Sequence, residues 1–567
     1  MLWFYIGLLQ IIGLCVTIIL SKYAFLWGNM SEILRLLSES KSSCIVKRVY
    51  SRPCGNGIIQ EEQDYTPGHR DGFASLLCNK CKNDYYIDFG NSSTKWSIKK
   101  RKELKSMDNI WLLTEERPKP SVILQIIEMY CADFNDKFTF KEEIRIKPIT
   151  QNGKFVFAYV VEGLKVEQAQ NIFIKTISGY SSSVDFLLFK QKNMPKENDL
   201  TETPLMAIEE TKTSDDESRN TGVSQRVSKF VYLRSFYRDV KMYMLYNEEL
   251  EARPNKKPSN TSIFGTNILL SLGVTIVGKD TSKWFAPFES LDELIKFKSN
   301  MRKPPKGNVP VRITKYADRI EVSGRLSKPA DAGNIGHDPN IGTLSMIGAG
   351  LRLFGWTGNI VITLHGVSQE YVTNNPTNKF LFNCSLLNMS LDGLAMPSIV
   401  LPDYYWHYER KSEKVASILL HLTCLYSGIK GIYENHAGCE RSYFKTSTGS
   451  LIALPKKDES GKNLLLPDVV LRDDVVQEIY NVEGKKLTTL KQGLKEIETY
   501  DAIENEYIKV KYPGYKIERW LSIFGGRYRG VPHEKVLIYL NDYGEVYINN
   551  AAPANIKAAF NRIGITC

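Results

Sequence analysis

Cysteine is sparse: ten residues are scattered over a chain of 567. Without the dense spacing of a disulfide framework, a small stapled scaffold is excluded and a reducing compartment is indicated. One C-x-x-C occurs, Cys78 and Cys81 in "CNKC", with no second pair to make a four-cysteine zinc site. Cys44, Cys54 or His69 would have to complete a structural Zn2+ centre, and free thiols are the plainer reading. His436 and Cys439 in "ENHAGC" also lack a partner pair nearby. The chain shows no fixed-period repeat and no long low-complexity tract, which excludes solenoids and arrays. The glycines of "GAGLRLFGWTG" from Gly348 lack the spacing of a phosphate-binding loop. Neither sign of charge dominates. Lys and Arg number 74 against 63 Asp and Glu, and the net charge of +11 favours an anionic partner without choosing between nucleic acid and a lipid surface.

What is present suits large folded cores. Hydrophobic residues make up 43% and aromatics 11%, and the length implies about two to four domains. The first segment stands apart. "LWFYIGLLQIIGLCVTIIL", residues 2–20, is long and apolar enough to span a bilayer. No Lys or Arg precedes it, which argues against a signal peptide, and Lys22 after it would keep the body in the cytoplasm. A competing reading starts the protein at Met30, where "MSEILRLLSES" offers Ser31 as the cap of a short amphipathic helix. Residues 1–29 are then either a membrane anchor or upstream sequence. Both readings place the body in the cytoplasm.

Turn residues and periodicity divide the rest. Residues 30–115 mix short apolar runs with turns and the basic run "KWSIKKRKELK", a candidate DNA-recognition domain with phosphate contacts. Residues 116–255 give a helix, several strands, a helix and a strand, an α/β unit closed by the Pro- and Lys-rich "EARPNKKPSN". Residues 256–405 read as a β-rich middle region, with "KFLFNCSLLNMSL" among its strands and a long polar loop, "SKPADAGNIGHDPNIG", carrying His337 and Asp338. Residues 406–567 read as a helix followed by strand, strand, helix, strand, strand and strand, a second α/β unit. The expected class is α/β (α+β), a mixed sheet flanked by helices, present twice.

Both α/β units carry acids and a lysine at strand ends. In "PLMAIEETK" alternation puts Ile208, Glu210 and Lys212 on one side, and Asp185 leads the neighbouring apolar strand in "SSVDFLLFK". Downstream, Asp468 opens the strand of "LLLPDVVLRDD", and Glu483 and Lys485 share a face in "EIYNVEGKK". Two carboxylates within reach of each other repel, and a divalent cation relieves that repulsion. Mg2+ suits oxygen ligands, and a lysine beside it can steady an attacking water and transition-state charge. The E-x-K triplet is weak by itself, since the chain has five, at Glu39, Glu103, Glu210, Glu409 and Glu483. Only Glu210 and Glu483 follow an apolar strand that is itself preceded by an aspartate-bearing one.

This pattern resembles the PD-(D/E)xK nuclease superfamily, in which Asp stands on one strand and (D/E)-x-K on the next. Asp468, Glu483 and Lys485 match it with Pro467 before the aspartate. Asp185, Glu210 and Lys212 match it with Val184 in place of the proline. The resemblance implies that Asp185, Glu210, Asp468 and Glu483 hold metal, that Glu128 or Glu413 on a preceding helix adds a ligand, and that Gln225 or Lys229 in "SQRVSKF" supplies the polar residue of the following helix. It further implies a type II restriction endonuclease that hydrolyses double-stranded DNA with Mg2+. Two nuclease units in one chain would each cut one strand, as a monomer or homodimer. The alternatives are one catalytic unit with the other serving DNA recognition, and a non-catalytic nucleic-acid-binding or membrane-anchored protein.

Overall fold

A computed structural model of the chain describes residues 36–51, 58–67, 71–77, 85–88, 96–100, 107–179, 183–211, 222–247, 258–301, 312–325, 339–365, 367–375, 378–434, 443–445, 451–454, 458–462 and 464–566. They fall into two compact units, Met1–Met107 and Asp108–Cys567.

In the first unit, β1 (Leu36–Ser42), β2 (Ile45–Ser51), β3 (Ile58–Asp64) and β4 (Asp71–Leu76) form an antiparallel meander, and β5 (Tyr85–Asp88) pairs with β6 (Ser97–Lys100). Ile59, Leu76 and Ile98 make its small core. The helix expected from "MSEILRLLSES" is a strand from Leu36 onward. Glu39 lies directly opposite Arg48 across β1 and β2, 2.5 Å from it, so this E-x-K triplet is a cross-strand ion pair. The apolar run 2–20, Ser31, Cys54, His69, Cys78 and Cys81 lie outside the described residues. Among the described residues no helix is long and apolar enough to cross a membrane.

The second unit opens with β7 (Asn109–Thr114), α1 (Pro120–Phe134), β8 (Phe138–Gln151), β9 (Lys154–Val166), β10 (Ile172–Gly179), β11 (Phe186–Gln191), β12 (Met206–Thr211), α2 (Gly222–Phe236) and β13 (Lys241–Tyr246). Then come α3 (Asn260–Ser271) and β14 (Thr275–Val277). Their sheet runs β14-β13-β12-β11-β7-β10-β9-β8. β7 lies inside it, and all of its residues are buried, which is why its sequence "NIWLLT" shows no polar alternation.

The middle region, expected to be β-rich, is α/β. It contains α4 (Leu291–Asn300), β15 (Arg312–Lys315), β16 (Arg319–Arg325), α5 (Pro339–Leu353), β17 (Asn359–His365), α6 (Gln369–Asn374), α7 (Lys379–Leu386) and β18 (Met389–Leu391). β16, β17 and β18 are parallel. The run "KFLFNCSL" is helical because Asn378 caps it, accepting the Phe380 N–H at 2.9 Å. The glycines of α5 serve packing. A Cβ on Gly348 would meet Met389 Sδ at 2.2 Å, and one on Gly350 would meet Leu294 Cδ1 at 2.6 Å.

The last part has β19 (Trp406–Tyr408), which pairs with β10, then α8 (Lys414–Tyr426) and β20 (Lys430–Glu434). A small pair, β21 (Tyr443–Lys445) and β22 (Leu451–Ala453), precedes β23 (Val469–Asp473), β24 (Glu478–Lys486), α9 (Leu490–Ile497), β25 (Lys516–Phe524), β26 (Val536–Leu540), β27 (Val546–Ile548) and α10 (Ala554–Arg562). The second sheet runs β20-β23-β24-β25-β26-β27. Its first three strands are antiparallel and β25 is parallel to β24.

The two sheets share one core. Leu188, Met206 and Ile208 of the first and Val469, Leu471 and Val482 of the second pack with Ile123, Ile127, Ile418 and Leu419 of α1 and α8. The other faces turn away from it: Leu187 and Ala207 toward α2, α3 and α5, and Val470 and Ile479 toward Ile497, Tyr500 and Ile503.

Candidate active sites

Strand register builds the downstream site. Val469 of β23 lies opposite Val482 of β24, so the next residue out, Asp468, faces Glu483. Glu483 is on the face turned from the shared core, and the Asp468 carboxylate lies at the strand edge, next to the Gly484 backbone. Asp468 Oδ2 accepts the Gly484 N–H at 2.8 Å. Glu483 accepts hydrogen bonds from Tyr500 Oη and from the Lys485 ammonium, and Lys485 also reaches Glu496 of α9 at 2.7 Å. Burial, then the charge of Glu483, pushes Asp468 up, and Glu413 just before α8 adds to the effect. Burial likewise pushes Glu483 up, against the pull of Lys485 and Tyr500. Burial alone would lower Lys485, but Glu483 and Glu496 raise it and keep it a cation.

Gly484 is required by close approach. An added Cβ would lie 2.8 Å from Asp468 Oδ2 and 3.3 Å from Ser417 Oγ of α8. Gly484→Ala is expected to cost about 1–3 kcal/mol of stability through overpacking and to displace Asp468. Thermal unfolding checks this, and an unchanged Tm would show that the strand edge accepts the methyl group.

The upstream site follows the same rule with a shifted register. Phe186 lies opposite Ile208 and Leu187 opposite Ala207, so Asp185 faces Glu209, not Glu210. Asp185 Oδ2 accepts the Glu210 N–H at 2.8 Å, the counterpart of the Gly484 contact. The lysine comes from α2: Lys229 Nζ is 2.7 Å from Glu209 Oε1 and 3.6 Å from Asp185 Oδ1. Arg226 lies 4.0 Å from Glu209. Glu115, at the end of β7, joins the cluster through Ser183 Oγ, and its charge acts on Lys229. Burial and then Asp185 push Glu209 up to about 8, against Lys229 and Arg226. Burial would lower Lys229, but Asp185, Glu209 and Glu115 raise it well beyond its ordinary value.

These positions correct part of the sequence reading. The structure brings Asp468, Glu483 and Lys485 together as a set. It brings Asp185 to Glu209 and Lys229, while the Glu210 carboxylate accepts a hydrogen bond from Asn247 on the opposite face. Lys212 lies outside the described residues. Glu128 is exposed on α1, and the acid that joins the upstream pair from a preceding element is Glu115. Glu413 acts on Asp468, and Lys229 of α2 contacts both upstream acids. Glu409 accepts the N–H groups of Lys411 and Ser412 at 2.8 Å, a loop-closing role. Sequence reasoning missed Glu209 and Glu115; the "EE" doublet was the only sign of the first.

The start of α8 touches both sites. Lys414 Nζ donates to the Glu115 carbonyl oxygen at 2.9 Å, while the neighbouring Glu413 acts on Asp468. Arg117 after β7 pairs with Glu434 of β20. Among the described residues no three His, Cys, Asp or Glu side chains converge as a closed metal site. Each site instead offers two facing carboxylates, an open arrangement that suits a cation retaining several waters. His337, Asp338, His436 and Cys439 are outside the described residues, and Cys44 is a half-buried free thiol. No protein-family model matches the chain, and comparisons with curated proteins and with solved structures find no match.

Proposed function

We propose that this chain is an Mg2+-dependent, sequence-specific endonuclease of restriction type, related to PD-(D/E)xK nucleases and cutting double-stranded DNA at two sites. The observation that carries the reading is the repetition. In both sheets an aspartate leading one strand faces a glutamate on the next and accepts, at 2.8 Å, the N–H of the residue after it, with a lysine ammonium on that glutamate.

The donor sets fit Mg2+: hard oxygen ligands, buried, with mutual repulsion that raises their proton affinity. Asp468 and Glu483 would hold one ion, and Asp185 and Glu209 the other. A bound Mg2+ supplies Lewis-acid polarisation of the phosphodiester and a more acidic water. The protein's own groups do the positioning. The Gly484 and Glu210 N–H groups fix the two aspartates, and Tyr500 fixes Glu483. Lys485 and Lys229, held charged by their acids, stabilise negative charge developing on the phosphorane oxygens. One chain carries both sites, so a monomer suffices for a double-strand cut.

A single-site reading has one observation in its favour. Lys229 touches both upstream carboxylates, whereas Lys485 touches only Glu483 of its pair. The upstream unit would then serve recognition.

The test incubates the full chain with supercoiled plasmids of varied sequence in Mg2+ or in EDTA. Discrete linear fragments in Mg2+ alone are expected. No cleavage of any DNA, with Mg2+ or Mn2+, rejects the proposal.

Protonation gives a second check. Burial and then the charge of Asp185 push Glu209 up to about 8 in the folded state, above its unfolded value of about 4.3, and Asp468 is raised in the same direction. The folded state therefore binds more protons between these values. The metal-free protein loses stability as pH rises from about 4 to about 8, and Mg2+ recovers it. The Tm gain on adding Mg2+ is expected to be larger at pH 8 than at pH 5.5, and an equal gain at both would remove the raised acids from the account.

A further inference from the structure

A cavity of about 850 Å3 lies where the ends of β10, β24 and β25 meet the turn after β19. This is within the range of roughly 300–1,000 Å3 for small-molecule sites. Its apolar wall includes Phe157, Phe524 and Leu487, and its cations are Lys175, Arg410, Lys411 and Lys486. Arg410 is engaged by Glu197 at 3.0 Å. Among the described residues, Lys175, Lys411 and Lys486 have no carboxylate within ion-pair distance.

Lys175 is the anomaly. It is buried, with 8% of the residue exposed. Among the described residues its ammonium rests on the ring of Tyr408, 4.4 Å from the centroid, with the charge of Glu197 acting on it from farther off. A cation–π contact compensates only part of the cost of burying a charge, so the site is short of an anion. Burial, and then the charge of Arg410, pulls Lys175 down to about 8 against a smaller opposing pull from Glu197. Gly525 and Gly526 have φ values of 92° and 80°, a left-handed turn that any side chain would strain. Glu409 is committed to the backbone N–H groups of Lys411 and Ser412 and to Ser178 Oγ, leaving Asp542 at the rim as an acceptor.

Aromatic walls, three cations with no carboxylate at ion-pair distance among the described residues, and the Asp542 acceptor suit a planar base with ring N–H or amino donors, attached to a phosphate. We propose that this cavity binds one nucleotide, its base against the edge-to-face pair of Phe157 and Phe524 and its phosphate on Lys175, Lys411 and Lys486. The nucleotide is either free or swung out of a bound DNA strand.

The experiment runs in EDTA, so it is independent of cleavage. The four deoxynucleoside 5′-monophosphates and inorganic phosphate are titrated into the full chain by calorimetry. In a parallel arm, duplexes carrying 2-aminopurine report unstacking by fluorescence. One arm or both should respond, with one nucleotide per chain, and Lys175→Met should weaken the response about tenfold or more. Lys486→Met, a change at the exposed rim, should weaken it in the same direction and stands in if Lys175→Met does not fold. A response to monophosphates assigns a free nucleotide, and a response to labelled duplex alone assigns a base from DNA. Silence in both arms, inorganic phosphate binding as tightly as every monophosphate, or wild-type response in a folded Lys175→Met or Lys486→Met overturns the proposal.

Discussion

Asp468→Asn should convert supercoiled plasmid to open circles and stop there. The strands of a duplex run antiparallel, so one asymmetric chain needs two differently oriented sites to cut both. Glu483 and Glu209 lie on sheet faces turned away from one shared core, each with its aspartate at the strand end. Asparagine keeps the acceptor for the Gly484 N–H but removes the charge that holds the cation. A metal ion contributes several kcal/mol of transition-state stabilisation, and each ~1.4 kcal/mol is tenfold, so cutting of that strand should fall about a thousandfold. Asp185→Asn should nick the other strand, and end-mapping on a strand-labelled duplex identifies which. If one substitution abolishes all cleavage and the other changes only DNA binding, the single-site reading replaces the two-site one.

The second large effect separates neighbouring glutamates. Glu209→Gln should silence the upstream cut by about two to three orders of magnitude, as for other losses of transition-state charge stabilisation. Glu210→Gln should stay within about threefold, since its carboxylate lies on the opposite face and such changes are worth about ±0.5 kcal/mol. Equal losses in both would show that the register shift is wrong. Lys229→Met should follow Glu209→Gln in the same strand-resolved assay.

That register shift marks the boundary of what the amino-acid sequence could say. Downstream, "EGKK" leaves one acid to choose, and Gly484 opens the space beside Asp468, so the set was legible. Upstream, "MAIEE" is buried on both faces, so it carries no polar–apolar alternation to reveal which glutamate looks toward α2. Lys212 completes the triplet only with Glu210, and that favoured the outward acid. The decisive fact is the pairing of Phe186 with Ile208, which is not a property of either strand alone. Lys229 reaches the site from a helix turn more than a dozen residues away along the chain, a distance no spacing rule covers.

The misread middle region has a different cause. α5 holds Gly342, Gly348 and Gly350, which lower helix propensity and read as loop. They are kept because Ser224, Met389 and Leu294 press against them. "KFLFNCSLLNMSL" is one apolar run that splits into helix and strand, and periodicity cannot arbitrate over so few residues. The mixed α/β class itself was legible, because long amphipathic and apolar runs such as "SVILQIIEMY" and "KVASILLHLTCLY" carry their helical spacing in the residues.

The central claim is that each facing pair holds one divalent cation, and counting the ions tests it most directly. Mn2+, which shares the preference for carboxylate oxygen, is titrated into the full chain and followed by electron paramagnetic resonance. Two sites are predicted for the wild type, one for Asp468→Asn, one for Asp185→Asn and none for the double substitution. Mn2+ binding that survives unchanged in the double variant would contradict the account.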